Sequence, residues 1–451
     1  MAQGPVQHKP PTAGATDEAP LRQGPREGPR RQLRVRAAFG DWFERTFVSM
    51  RNRNVRVLWF GTALNFAGIM MNMTAQSVVA FDLSGSNRAV GTVMLGQGLS
   101  LLVISPFAGA IADRFSKRTM LVACQVVMGV TFFGVGVAIA TDAISILILA
   151  ISAFVAGTML SMIRSLRNAY LGELAAPEQR GNAVAVQQLA MSSMQVVGPF
   201  VAGILLGWSL VGAAGTYFAM AAAFALAILT VLRLPATHSR ERQASGPSML
   251  GDTWEGLRYG WQNPEIRWVM AGFVMLTLVG MPYMTLLPGY VSEVLGMSTS
   301  RLGVLLGISA LGGLLVSLAT ASLADSPRAP LVLTICNVLF AASLIGLSVA
   351  PSFAVVAVVM LFLGAGASGF QMLNNAIALR AADIAYMGRV ASLTTMAFSL
   401  SGLAAFPIGA AADHWGQRPV LAAMGGVLMC VAFILYVWKQ QMIRAERAAI
   451  A

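Results

Sequence analysis

The chain has 451 residues, of which 56% are hydrophobic and only 11% are charged, and its mean hydropathy is +0.68. Soluble globular chains carry roughly 25% charged residues, so the composition argues against a soluble fold and favours a membrane protein. The net charge of +12 does not indicate nucleic-acid binding, because the cations lie in the N-terminal segment and in alternate turns between apolar runs, as in multi-span membrane proteins.

The first 32 residues are rich in Pro, Gly, Gln and Arg and contain no apolar stretch of the kind found in a signal peptide. We predict that residues 1–50 form a disordered, basic cytoplasmic tail. Near its end, Trp42, Phe43 and Phe47 stand among charged residues, which predicts a short amphipathic helix on the membrane surface.

Twelve apolar runs follow, each close to the roughly 20 residues that a helix needs to cross a bilayer. The predicted spans are 57–80, 90–112, 119–140, 143–166, 182–206, 211–232, 267–290, 301–324, 330–350, 352–379, 389–412 and 418–438. Basic residues concentrate in the turns after the even-numbered spans, which places those turns and both termini in the cytoplasm. The sequence therefore predicts a multi-pass protein of the plasma (inner) membrane.

A polar break over residues 233–264 divides the spans into two groups of six. Its second part, Met249 to Trp261, has apolar or aromatic residues at a spacing of three to four, which predicts an amphipathic surface helix. We therefore predict an N-terminal six-helix bundle over residues 51–232 and a cytoplasmic linker over 233–264. A C-terminal six-helix bundle over 265–440 and a cytoplasmic tail over 441–451 complete the predicted organisation.

The two groups of six resemble each other in sequence. Four residues recur at a constant offset of 207: Gly157, Ser161, Asn168 and Gly181 match Gly364, Ser368, Asn375 and Gly388. The stretch Asn52-x-x-x-Arg56 before the first span likewise recurs as Asn263-x-x-x-Arg267 before the seventh. Two parallel halves with a central site between them are a transporter architecture.

The turn between spans 2 and 3 reads Gly109-x-x-x-Asp113-Arg114-Phe-Ser-Lys117-Arg118. It resembles the signature loop of the major facilitator superfamily. Further phrases, including Asn263-Pro264 and Gly388-Arg389, resemble the branch that contains enterobactin and macrolide exporters. The resemblance implies an all-α membrane protein of twelve transmembrane helices in two pseudo-symmetric six-helix bundles, and it implies export of small molecules.

The resemblance also implies gating residues. In the family, the aspartate of the signature loop lies against the N-terminus of helix 11 when the cytoplasmic side is closed, where the helix dipole favours an anion. In the internal repeat, Gly109-x-x-x-Asp113 recurs 212 residues later as Ala321-x-x-x-Asp325, so Asp325 would face the start of helix 5 in the same way. The predicted gating residues are Gly109, Asp113, Arg114, Lys117, Arg118, Asp325, Gly388 and Arg389.

A second stretch has a similar pattern, Gly409-x-x-x-Asp413-His-Trp-Gly416-Gln-Arg418. The distribution of basic residues places it on the opposite side of the membrane, between spans 11 and 12. We therefore interpret it as a structural turn rather than as a gate.

Polar side chains within spans are costly against lipid and normally face the interior of the bundle. In this chain they recur at helical spacing on one face of several spans. The predicted substrate cavity consists of Asn65, Asn72, Gln76, Ser161, Arg164, Gln188, Gln195, Gln371 and Asn375. For each of these residues, a hydrogen bond that ties helices together is the alternative role.

The sequence contains no phosphate-binding glycine loop and no cluster of metal ligands, so we predict neither an enzyme nor a cofactor. The predicted function is secondary active export of amphipathic or hydrophobic small molecules, of drug or siderophore type. The predicted partners are this solute and lipid, with protons implied by the family resemblance alone, and the predicted state is a monomer. Import of a metabolite, carriage of a lysolipid, and a non-transporting receptor or scaffold stay open as alternatives.

Overall fold

The structure is a computed structural model that describes residues 48–114, 116–176, 179–235, 249–321, 323, 326, 328–383 and 386–450. The predicted tail therefore lies outside the described residues except for its last three positions. The first part of the predicted linker, residues 236–248, and the predicted gating residue Asp325 also lie outside them.

Within these residues the chain forms twelve long helices and no strand. They are α1 Arg53–Ser84, α2 Asn87–Arg114, α3 Lys117–Ala140, α4 Ile146–Leu174, α5 Arg180–Gly207, α6 Gly212–Leu232, α7 Pro264–Val294, α8 Leu302–Ala321, α9 Ala329–Val349, α10 Phe353–Ala381, α11 Met387–Trp415 and α12 Gln417–Ile450. Short 3₁₀ turns, Val48–Arg51 and Thr299–Arg301, precede α1 and α8. A further helix, Met249–Gln262, precedes α7 and is called the linker helix below.

Eleven of the twelve long helices, α2 to α12, are apolar and long enough to cross a membrane. Helix α1 is the longest but one at 32 residues, and its amide side chains lower its hydropathy. Helix α7 is irregular, because it contains two π-helical segments, Leu276–Gly280 and Tyr290–Val294. The predicted all-α membrane fold is confirmed.

The helices form two halves, α1–α6 and α7–α12, that repeat the same packing. In the first half α2 packs against α4 and α3 against α6; in the second, α8 packs against α10 and α9 against α12. Each half has its own apolar core. Phe132 and Phe224 are buried in the first core, and Phe340 and Phe370 are buried in the second.

The repeated Asn-x-x-x-Arg stretch has a structural reason. The Asn52 side chain caps α1 by accepting from the N–H of Asn54 (2.9 Å), and its amide donates to the carbonyl of Leu174 at the end of α4 (3.2 Å). Asn263 caps α7 in the same way, and its amide donates to the carbonyl of Ala381 at the end of α10 (3.1 Å). Each asparagine therefore starts one helix and ties it to the end of another in its own half.

The bundle has two ends, because consecutive long helices run in opposite directions. The linker helix, the start of α1 and the α2–α3 turn lie at one end, called the linker end below. The turns that join α1 to α2, α7 to α8 and α11 to α12 lie at the other end, called the far end.

Candidate functional site

The two halves meet along two pairs of helices, α2 with α11 and α5 with α8. Both pairs approach closely at glycines. A Cβ atom on Gly98 of α2 would lie 2.6 Å from the Cα atom of Gly402 in α11, and a Cβ atom on Gly203 of α5 would lie 2.7 Å from the Cα atom of Gly303 in α8. Small residues of this kind let backbones touch within a membrane, so these two contacts form the body of the interface.

At the far end, the carboxylate of Asp413 in the last turn of α11 caps the first turn of α2. One carboxylate oxygen accepts from the backbone N–H of Asn87 (2.7 Å) and from its side-chain amide (2.9 Å). The other accepts from the hydroxyl of Ser86 (2.6 Å) and the backbone N–H of Arg88 (2.9 Å). An anion at a helix N-terminus pairs with free N–H groups and with the positive end of the helix dipole, so Asp413 joins the two halves.

The interpretation of the Asp413 stretch as a structural turn misses this contact. The glycine of its pattern also has a role, because a Cβ atom on Gly409 would collide with the backbone carbonyl of Asn87. Gly409 therefore lets α11 approach α2, and Asp413, one turn later, reaches the helix N-terminus. The sequence signal for this contact is the likeness of the stretch to the signature loop.

Other contacts close the far end beside Asp413. The carboxylate of Asp82, at the end of α1, accepts from the hydroxyl of Thr299 (3.0 Å) just before α8. Gly289 of α7 lies against Phe81, and a Cβ atom there would be 2.9 Å from the Phe81 ring. The side chain of Val78 in α1 packs into the core of the second half. The far end is thus closed by both charged and apolar contacts.

At the linker end, polar contacts join helices of the same half. Lys117 at the start of α3 pairs with Glu173 at the end of α4 (2.8 Å). Arg118 donates to the carbonyl of Leu232 at the end of α6 (2.6 Å). In the second half, Glu265 of α7 pairs with Lys439 of α12 (3.4 Å).

The gating role of the predicted residues stays a prediction. Lys117 and Arg118 contact their own half as described above. The side chains of Gly109, Asp113 and Arg114 in α2, and of Gly388 and Arg389 in α11, lie outside what the structure describes.

The linker helix is attached to the turn between α10 and α11. The rings of Tyr259 and Tyr386 stack at 4.1 Å with 5° between their planes. The Tyr259 hydroxyl donates to the Asp383 carboxylate (3.1 Å) and accepts from the Asp383 N–H (3.0 Å), while the Tyr386 hydroxyl donates to Glu255 (3.0 Å). Nothing in the spacing of these residues relates the linker helix to that turn, so the sequence alone does not predict the contact.

The predicted cavity residues of α1 are buried. Asn65, Asn72 and Gln76 have at most 4% of their surface exposed. The amide of Asn72 donates to the side-chain carbonyl of Gln76 one turn later (3.0 Å), a bond within one helix rather than between two. Their contact with solute stays a prediction.

The other predicted cavity residues retain accessible surface. Arg164, Gln188 and Gln195 are exposed, Gln371 and Asn375 are partly exposed, and Ser161 is at the limit of burial. The neighbouring Gly157 packs against Ser100 and Gln97 of α2, which shows that one edge of this face of α4 is occupied by α2. Whether these side chains contact solute also stays a prediction.

Two arginines three residues apart in α4 have different environments. Arg167 is 2% exposed, and its guanidinium donates to the Leu58 carbonyl (3.3 Å), the Thr62 hydroxyl (2.5 Å) and the Gly61 carbonyl (3.1 Å) of α1. Arg164 is exposed, and its guanidinium lies 5.7 Å from the centre of the Phe66 ring. Arg167, which the sequence analysis did not select, therefore ties α4 to α1.

Comparisons with known proteins agree with this architecture. Residues 58–405 match the family model described as Major Facilitator Superfamily. The chain is 27% identical over 413 residues to a putative sugar efflux transporter of Deinococcus radiodurans, covering 88% of this chain and 97% of that one. It is 22% identical to the staphyloferrin A transporter of Staphylococcus aureus, covering 79% and 89%. The crystal structure of a mutant of the nucleoside transporter NupG shares the fold, with a TM-score of 0.72, 14% identity and coverage of 85% and 99%.

Proposed function

The chain belongs to the major facilitator superfamily and is a membrane transporter rather than an enzyme, and on that premise we propose that it exports amphipathic or hydrophobic small molecules by alternating access. In this scheme two halves rock about a central site, which opens to one side of the membrane at a time. The relative named as a putative sugar efflux transporter supports the direction of transport that we propose.

The observation that carries the proposal is the closure of the far end by contacts between halves. A transporter closed at one end needs contacts there that can break and reform, and the Asp413 cap on α2 has this character. Its four hydrogen bonds join groups that water would also hydrate. Because such bonds are exchanged for bonds to water when the end opens, each contributes only about 1.5–3 kcal/mol net, so the cap can break and reform and solute binding can shift the balance.

We propose that the linker end faces the cytoplasm, with both termini, and that the far end faces the outside of the plasma membrane. The basic turns at the linker end support this orientation. Asp413 then closes the outer side against α2, and Asp113, in the equivalent pattern, closes the inner side against the start of α11. The two caps belong to opposite states, so each end closes as the other opens.

Proton antiport is the coupling that the family resemblance favours, with Asp82 and Asp113 as the carboxylates nearest to the pathway. We propose that a single chain carries out the cycle. A reconstituted chain with an imposed proton gradient, assayed against a panel of drugs and siderophores, should accumulate solute on the acidic side. Flux that ignores the gradient would exclude proton antiport, and accumulation on the opposite side would exclude export.

The gate itself can be tested by replacing Asp413 with Asn. Spin labels at Leu83→Cys and Trp415→Cys, both exposed at the far end, report the distance between halves, in a chain whose exposed Cys430 is replaced by Ser. Asp413→Asn replaces the anionic acceptor by a neutral amide, so the longer-distance population should increase severalfold.

The matched control is Asp142→Asn. Asp142 lies in the far-end turn between α3 and α4, in a left-handed conformation (φ 53°) that Asn adopts readily. The substitution removes the same charge at the same end without changing a residue of the interface. The distances between the spin labels should therefore not change. Equal distance distributions for the wild type and Asp413→Asn would refute the gate.

A further inference from the structure

We propose that the transported solute carries an anionic group and that Arg164 binds it from the first half of the bundle. The inference rests on the proposed transport function and names the class of solute that the central site accepts. Three observations support it: the position of Arg164 in α4, the contacts that its guanidinium makes, and the residues at the equivalent positions of the second half.

Arg164 lies in the span, with ten residues of α4 still to follow before the helix ends at Leu174. An arginine at such depth is unfavourable against lipid, yet its side chain is exposed while its neighbours Ile163 and Leu166 have no accessible surface. Its guanidinium lies over Phe66 of α1, which places it between two helices of the same half. The accessible space it faces is therefore an internal, water-accessible one.

The guanidinium of Arg164 is available for a ligand. In the part of the chain that the structure describes, it makes the contact with the Phe66 ring but no hydrogen bond or ion pair. Arg167, on the same helix, shows the alternative: its two terminal nitrogens donate three hydrogen bonds to groups of α1. A cation without a counter-ion within a membrane span is costly, and a bound anion would offset this cost while accepting the planar, two-pronged bond that guanidinium offers.

The second half contributes neutral amides at the equivalent positions. Gln371 follows Arg164 by 207 residues and Asn375 follows Asn168 by the same offset, and all four side chains are exposed or partly exposed. Because the halves repeat the same packing, we expect equivalent positions to lie at equal depth on faces that oppose each other across the interface. The site thus has one positive charge with amide donors across from it, which fits a single monoanionic group such as a carboxylate on an otherwise apolar solute.

The test compares three probes that share a naphthyl ring and differ in charge: naphthylacetate, naphthylethanol and naphthylethylammonium. Binding is measured by equilibrium dialysis with the full chain in lipid nanodiscs. Wild type should bind naphthylacetate at least about tenfold more tightly than the alcohol, the factor that one hydrogen bond to a charged group supplies. Arg164→Gln should remove this preference.

The control and the rescue use positions elsewhere in the chain. Arg301 also lies over a phenylalanine, at 5.6 Å from the centre of the Phe353 ring, but at the far end; Arg301→Gln should leave the anion preference unchanged. In the double variant Arg164→Gln/Gln371→Arg the charge moves to the opposed face, and the preference for naphthylacetate should return.

Equal binding of the three probes to wild type, or binding of none of them, would overturn the anion site. A preference that survives Arg164→Gln would also overturn it, and a double variant that folds without recovering the preference would overturn the placement of Gln371 across the site. Because binding in nanodiscs needs no transport, a chain that prefers the anion yet moves no solute would contradict the proposed function and leave this site intact.

Discussion

The two ends of the bundle are held together by different kinds of contact. At the far end, charged side chains bridge the halves: Asp413 caps α2 and Asp82 binds Thr299. At the linker end, Lys117 pairs with Glu173, and Glu265 with Lys439, each within one half. Both ends are rich in polar groups, but those of the far end connect two bodies and those of the linker end strengthen each body separately.

This difference separates residues that set the conformational balance from residues that maintain the fold. A contact between halves is present in only one state, so weakening it shifts the populations of states. A contact within a half is present in both states, so weakening it lowers stability and leaves the populations unchanged. Variants at the two ends should therefore give different readouts, even where the bonds that they remove are of similar strength.

The largest effect is expected at the glycines between α2 and α11. In Gly98→Ala the new Cβ would lie 2.6 Å from the backbone Cα of Gly402 and 2.9 Å from the Ser399 carbonyl, and backbone atoms cannot rotate away. Overpacking of this kind costs about 1–3 kcal/mol, and here it weakens a contact between the halves. The ratio of the long-distance to the short-distance population for labels at positions 83 and 415 should rise about 5- to 150-fold.

Gly134→Ala is the control for this variant, since no atom lies within 4 Å of a Cβ at Gly134 in α3. It should leave the label distances as they are in the wild type. If Gly98→Ala also left them unchanged while the chain stayed folded, the contact between α2 and α11 would not be the one that closes the far end.

A smaller effect, on stability alone, is expected from the helix caps at the linker end. Asn52→Ala and Asn263→Ala each remove a cap and a bond to a neighbouring helix in one half, and loss of a cap costs about 1 kcal/mol. Because the two caps are equivalent, the midpoint temperature of thermal unfolding in detergent micelles should fall by a similar amount in the two variants. A change in label distances at the far end would contradict the assignment of these caps to maintenance of each half.

The fold can be predicted from the sequence because each signal for it lies within a short stretch of residues. Apolar run length marks each span, although the predicted span 57–80 is shorter than α1, Arg53–Ser84, since the Asn52 cap and the Gly85 end extend the helix beyond its apolar part. The repeat at a constant offset indicates that the two halves are equivalent. The duplicated asparagine stretch indicates where each half begins.

The contacts of the site could not be predicted in the same way. Asp413 and Ser86 are 327 residues apart, and one sequence does not say which helix N-terminus a carboxylate meets. Arg164 and Arg167 are both arginines within one span, and only the position of α1 decides that Arg167 is tied to it. The polar face of α1 illustrates the same limit, because helical spacing predicts a common face but not which neighbour covers it.

The smallest effect is expected from the ion pair of Lys117 with Glu173. The Lys117 side chain is 9% exposed and that of Glu173 is 34% exposed, so water screens the pair in part and the loss in Lys117→Gln should be about 1 kcal/mol or less. The midpoint temperature of thermal unfolding should fall slightly for Lys117→Gln. It should fall by less for Lys439→Gln, because the bond of Lys439 to Glu265 is longer (3.4 Å). The far-end label distances should match the wild type in both. A shift in those distances for Lys117→Gln would show that this lysine takes part in closing the linker end, as the signature loop implies, and does not only tie α3 to α4.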